Sequence, residues 1–125
     1  MDEQIIWLGY QKKVALFIEN CILLVHPAEN EPLGRVVIEA LYHGKLVVAA
    51  DSGGIPEYIQ HGVNGFLFKS GNYESLAQQI ITAMEWPDKS SIAENAIKTA
   101  YHYFDCEMQS RKIIKIYTNL LSNSN

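Results

Sequence analysis

The sequence predicts an α/β fold, a parallel sheet with flanking helices, and three observations carry that prediction. Cys21–Val25 and Leu46–Ala50 are unbroken apolar runs rich in β-branched residues, the pattern of strands buried on both faces rather than half-exposed ones. Segments of helical period separate and follow these runs, as expected where each strand is followed by a covering helix. Glycine and proline punctuate the joins, at Gly9, Pro27, Gly44, Gly53-Gly54, Gly62, Gly65 and Pro87, where the chain must turn or a helix must stop.

Taken in order, Ile5–Leu8 reads as a first buried strand ended by Gly9. Val14–Ile18 is the apolar part of a short helix ending near Glu19-Asn20. Cys21–Val25 is the second strand, stopped by Pro27. A helix runs from about Gly34 to His43, with Gly44 as its stop. Leu46–Ala50 is the third strand, Asp51–Gly54 a glycine turn, and Ile55–Gln60 one or two helical turns. Gly62 and Gly65 bracket another turn, and Phe66–Phe68 is a short last strand. From Tyr73 onward the period is helical. Leu76, Ala77, Ile80, Ile81 and Met84 share a face up to Pro87; Ile92 to Phe104 form a second amphipathic face, and Ile113 to Leu121 a third. The tail Ser122–Asn125 is expected to fray.

Composition narrows the function. With 125 residues the chain is one domain. At 48% hydrophobic and 19% charged it has the makeup of a folded globule rather than of a disordered segment. A net charge of −4 argues against a general nucleic-acid or anionic-membrane surface. No apolar run reaches transmembrane length, and the opening Met1-Asp2-Glu3-Gln4 is acidic, unlike a secretory signal; a cytoplasmic location is the expectation. Cys21 and Cys106 lack zinc spacing and read as core or half-buried thiols. His43, His61 and His102 share no metal spacing, and there is no Asp-x-Asp, so neither a metal nor another cofactor is expected.

The chemistry concentrates in Glu31-Pro32-Leu33-Gly34-Arg35-Val36-Val37-Ile38-Glu39, a loop that becomes a helix. Val36, Val37, Ile38, Ala40 and Leu41 make the helix apolar on nearly every side, so it should be buried. Glu39 is then a buried carboxylate in need of a hydrogen-bonding partner. The free N–H groups of a glycine-led helix start attract phosphate, and a carboxylate can accept both hydroxyls of a diol.

This stretch resembles the E-x7-E motif of the retaining glycosyltransferases of family four, which have the two-domain GT-B architecture. Val25-His26-Pro27, the run Gly44–Ala50 leading into Gly53-Gly54-Ile55-Pro56-Glu57, and Asn64–Phe68 resemble the same family, in order and at its spacing. Ala28 and Leu46 depart mildly from it, where serine and proline are usual. The resemblance implies a partial Rossmann-like sheet, the C-terminal portion of a donor domain that binds a nucleotide-diphosphate sugar. It implies that Glu39 holds the ribose hydroxyls and that Glu31 is the catalytic candidate, orienting a hydroxyl of the transferred sugar. The backbone of Leu33, Gly34, Arg35 and Val36 would meet the diphosphate and sugar. The Arg35 side chain either balances diphosphate charge or is a surface arginine. His26 either touches the donor or is an ordinary satisfied histidine; Gly53-Gly54 is a turn near the ligand or a structural one. Glu57 reads as a helix-start residue.

Family members also carry an acceptor domain and two earlier β–α units, whose Arg and Lys neutralise the leaving diphosphate; the 125 residues contain neither. Lys12, Lys13, Arg35 and Lys45 are the nearest basic candidates, and none matches those positions. The expectation is an incomplete nucleotide-sugar-binding domain that transfers a hexosyl group poorly or not at all alone. Its open sheet edge, beside Ile5–Leu8 or its neighbour, invites self-association or a partner polypeptide. The alternative is a non-catalytic interaction subunit with the same fold. A dinucleotide-binding oxidoreductase would need G-x-G-x-x-G after the first strand, and a response-regulator-like domain an acidic pair there; both are missing.

Overall fold

The computed structural model describes residues 4–123. Helices α1 (Val14–Asn20) and α2 (Arg35–Tyr42) alternate with strands β1 (Leu23–His26) and β2 (Leu46–Ala50). A single 3₁₀ turn, Ile55–Glu57, precedes β3 (Phe66–Phe68), and α3 (Tyr73–Glu85), α4 (Lys89–Phe104) and α5 (Cys106–Ser122) follow. The three strands form one parallel sheet in the order β1-β2-β3, with Leu23 opposite Leu46 and Val48 opposite Phe66.

Strand β2 is the centre, and all five of its residues are buried. Side chains alternate across a strand, so the two faces feed two cores. Val47 and Ala49 join Val37, Ala40 and Leu41 of α2, Ile18 of α1, and Ala96 and Ala100 of α4. Leu46, Val48 and Ala50 join Phe66, Phe68, Ala83 of α3 and Ile92 of α4, with Trp86 edge-on to Phe66. The continuous apolar composition of Leu46–Ala50 thus has its cause: helices cover both sides.

Local chemistry sets the helix boundaries. Gly44, at φ 61°, ends α2 in the left-handed conformation that glycine adopts without strain. Asn72, Asp88 and Asp105 cap α3, α4 and α5 by accepting from the N–H groups of Ser75, Ser91 and Met108. Asn64, the one buried polar residue among the described positions, ties the loop after the 3₁₀ turn to α4. Its side chain donates to the Tyr58 carbonyl and to Thr99 Oγ1, and accepts from Gln60 N.

The structure corrects the reading of three segments. Ile5–Leu8 is not a strand: it makes no ladder pairing, and its four side chains are exposed. An apolar run becomes a strand only beside another strand, and among the described residues none lies there. An open edge falls at β1, the neighbour that the expectation allowed, where Ile22 and Val25 are exposed. Cys106 is an exposed free thiol rather than a core one; Cys21 is half-buried. Helix α5 extends to Ser122 without burying any residue, and Ile113, Ile114, Tyr117 and Leu121 face outward. Residues 124–125 of the tail lie outside the described residues. No helix among the described residues is long and apolar enough to cross a membrane.

This distribution of burial separates two kinds of substitution. Leu41→Ala, at a fully buried position, should cost roughly 2–5 kcal/mol of folding stability. Ile6→Ser, at an exposed one, should change it by no more than about 0.5 kcal/mol. Urea unfolding of the two variants checks the contrast.

Candidate functional site

Two loops leave the carboxyl ends of neighbouring strands, one after His26 and one after Ala50, and they brace each other. Asn30 N donates to Ser52 Oγ at 2.8 Å, and Ser52 Oγ donates to Asn30 Oδ1 at 3.3 Å. Gly54 N donates to the Glu31 carbonyl at 2.9 Å. Asn30 has φ 54°, and asparagine is among the few residues that tolerate this region.

The contact is too close for side chains. A Cβ on Gly53, itself at φ 64°, would lie 2.3 Å from the Glu31 carbonyl oxygen, and one on Gly54 would lie 2.0 Å from that of Pro32. Both glycines therefore serve the backbone of the loop that carries Glu31.

That loop ends in an unusual helix start. Gly34, the residue before α2, is left-handed with φ 71°. A Cβ there would meet Ile55 Cδ1 at 2.5 Å and the Tyr58 hydroxyl at 3.0 Å. No side chain caps α2; Glu31 Oε1 accepts instead from the two N–H groups just before it, Gly34 N at 3.0 Å and Leu33 N at 3.3 Å. The N–H groups of Arg35 and Val36 take no hydrogen-bond partner among the described residues. They are the donors that a helix start leaves open.

Beside them is a cleft of about 450 Å³, lined by Lys12, Lys13, Val14, Ala15, Arg35, Val36 and Glu39. Glu39 is half-buried, not fully buried as the sequence suggested. The reason is geometric: α2 packs Val37, Ala40 and Leu41 into the core and turns Arg35, Val36 and Glu39 to the cleft. The Glu39 carboxylate makes no hydrogen bond or ion pair among the described residues. Lys45 is separate from this group, because its Nζ donates to the Glu19 carbonyl at the end of α1, 2.7 Å away.

His26 ends β1 next to the loop. Its Nε2 is buried without a hydrogen-bond partner among the described residues and lies 3.9 Å from Glu31 Oε2, too far for a hydrogen bond. Two polar atoms thus stand side by side with capacity to spare. Leu33 is exposed at the loop's tip, and Glu57 lies with Tyr58 and Gln60 on a different cleft.

The fold gathers Glu31, His26, Gly34, Gly53 and Gly54 into one braced unit, and Arg35, Val36 and Glu39 into the adjoining cleft. Sequence reasoning missed Asn30, Ser52 and Tyr58. Asn30 carried a signal, an asparagine before a turn; Ser52 and Tyr58 act through contacts 22 and 25 residues away in the chain.

The Glu31 carboxyl is held below its ordinary value, first by the Gly34 N–H, then by the Leu33 N–H, with His26 acting in the same direction. Burial pushes the Tyr58 hydroxyl well up, and the Glu31 charge adds to this, so it remains a donor. A depressed carboxyl contributes stability above its unfolded value, near 4.5, and loses it as pH falls through the folded one. Acidification into that window should release the Leu33 and Gly34 amides while the β2 amides stay in place, and Glu31→Gln should abolish the response. Amide chemical shifts followed against pH test this.

Residues 1–102 match the family model described as glycosyl transferases group 1. The N-acetyl-alpha-D-glucosaminyl L-malate synthase of Bacillus anthracis is 30% identical over 121 residues, covering 96% of this chain and 31% of the relative. The sulfoquinovosyl transferase of Arabidopsis thaliana is 36% identical over 94 residues, covering 73% and 18%. The chain therefore spans about a third or less of these relatives' length. Anabaena HepE, solved in complex with UDP and glucose, matches with a TM-score of 0.84 at 36% identity, covering 94% of this chain and 33% of that one. The same protein in complex with UDP-glucose matches with a TM-score of 0.79 at 38% identity, covering 90% and 31%. The sequence match over most of the chain and the shared fold agree: the chain belongs to the glycosyl transferases group 1.

Proposed function

We propose that this chain is the donor-binding segment of a retaining glycosyltransferase of family four, transferring a hexosyl group from a nucleotide-diphosphate sugar to a saccharide or lipid acceptor. One observation carries the reading: the start of α2 presents two unpartnered N–H groups, Arg35 and Val36, on the wall of a cleft that also holds Glu39, Lys12 and Lys13. A diphosphate is recognised by such donors and cations, and a ribose diol by such a carboxylate. The complexes of Anabaena HepE with UDP and UDP-glucose support a uridine donor as the first candidate.

In this reading the Glu31–Glu39 span is the family's E-x7-E motif, and the donor lies along it. Glu39 holds the ribose hydroxyls. The Arg35 and Val36 N–H groups, with the Lys12, Lys13 and Arg35 side chains, receive the diphosphate. Glu31 meets the sugar with Oε2, because Oε1 already accepts two backbone N–H groups, and His26 Nε2 adds a second polar contact. Gly34, Gly53 and Gly54 let the backbone approach, and Leu33 borders the sugar. Transfer breaks the bond between the anomeric carbon and the diphosphate oxygen and forms one to the acceptor oxygen on the same face, the acceptor's hydroxyl proton passing to the departing diphosphate oxygen. Charge develops on the departing diphosphate, where the N–H groups and cations stabilise it. Glu31 orients a sugar hydroxyl and is not assigned as a nucleophile.

The relatives' additional length would supply the acceptor side, so turnover by these residues alone should be poor. The exposed edge of β1, with Ile22 and Val25, is where the sheet would be extended by another polypeptide or by a second copy of this chain. Sedimentation of the purified chain should show concentration-dependent association that Val25→Lys weakens; a monomer at all concentrations would remove this part of the proposal.

Calorimetric titration with UDP-glucose, GDP-mannose and ADP-glucose tests the donor site itself. One nucleotide class should bind saturably, and Glu39→Ala should weaken it roughly tenfold or more, as expected for loss of a charged hydrogen-bonding group. No binding by a folded sample would favour the non-catalytic interaction subunit.

A further inference from the structure

Tyr58 lies behind the candidate site, against the backbone of Leu33 and Gly34, and has no donor-binding role in the reading above. It is 5% exposed, its ring stands edge-on to Phe104 at 5.0 Å, and its hydroxyl donates to the Leu33 carbonyl at 2.6 Å. The carbonyl of Leu33 and the N–H of Gly34 are the two ends of one peptide unit, and that unit is planar and rigid. Tyr58 holds its oxygen end, and Glu31 Oε1 holds its hydrogen end at 3.0 Å. Rotating the plane would break both bonds together. A hydrogen bond accepted by the carbonyl also polarises the N–H into a stronger donor. The left-handed Gly34 leaves the space that the hydroxyl enters, since a Cβ there would come within 3.0 Å of it. Asn64, accepting from Gln60 N and donating to the Tyr58 carbonyl, fixes the tyrosine's own backbone.

We propose that Tyr58 is a positioning residue for Glu31: its hydroxyl locks the Leu33–Gly34 peptide plane, and that plane aims the carboxylate. Its consequence for sugar binding rests on the donor-site reading above. The consequence for Glu31 itself does not.

The test is Tyr58→Phe in the full chain, which keeps the ring against Phe104 and removes only the hydroxyl. NMR titration of the Glu31 side-chain carboxyl should show its midpoint move up toward the ordinary carboxylate value, with the Gly34 amide proton shifting to higher field. Placing 4-aminophenylalanine at position 58, which restores a donor, should return both. Phe104→Leu serves as the structural control, because it loosens the ring and lowers the melting temperature while leaving the Glu31 midpoint in place. An unchanged Glu31 midpoint in folded Tyr58→Phe would overturn the proposal, as would an equal shift in Phe104→Leu. For a chain that binds UDP-glucose, Tyr58→Phe should weaken UDP-glucose roughly 3- to 10-fold and UDP far less, the loss of one positioned hydrogen bond to the sugar. If the parent chain binds neither ligand, the donor reading fails, and the Glu31 midpoint still decides the role of Tyr58.

Discussion

The backbone contact between the Glu31-Pro32 loop and Gly53-Gly54 is the constraint on which the site depends. Two loops from adjacent parallel strands cross so closely that neither glycine has room for a Cβ. Everything nearby follows from that crossing. Asn30 takes up a left-handed conformation to reach Ser52, Gly54 N donates to the Glu31 carbonyl, and the Glu31 side chain turns back on the start of α2. The bonds are individually modest, since a net intramolecular hydrogen bond contributes about 1 kcal/mol. Their effect is geometric: together they fix where the Glu31 loop runs.

The sheet makes that crossing available. Parallel strands place all their carboxyl ends on one side, so the loops after β1 and β2 emerge together. Burial of β2 on both faces then fixes the height of each strand against the helices, and with it the height of the two loops. Helix α2 belongs to both systems. Its inner face joins the core through Val37, Ala40 and Leu41, and its outer face presents Arg35, Val36 and Glu39 to the cleft. A single eight-residue helix thereby links stability to the proposed chemistry.

Much of this was legible in advance where the signal was local. The strands Leu23–His26, Leu46–Ala50 and Phe66–Phe68 lie within or overlap apolar runs, and the breaks at Gly44 and Pro87 fall where residue chemistry demands them. Ile5–Leu8 failed because an apolar run states only that burial or pairing is wanted, while the partner strand must come from elsewhere. The sequence suggests a buried Glu39 because an apolar helix leaves no sign of which edge meets a cleft. Lys45 looked equivalent to Lys12 and Lys13 until the fold committed it to the end of α1.

The α/β class, three of the strands, the helix stops at Gly44 and Pro87 and the carboxylates worth watching follow from the sequence, because periodicity and the conformational limits of glycine and proline act within a few residues. Tertiary structure alone decided that Gly53 and Gly54 make room for the Glu31 loop, that Tyr58 reaches Leu33, and that Lys12 and Lys13 share a cleft with Glu39. Those facts depend on distances between residues far apart in the chain. Such distances exist only once the helices have packed on the sheet and set its loops at fixed separations.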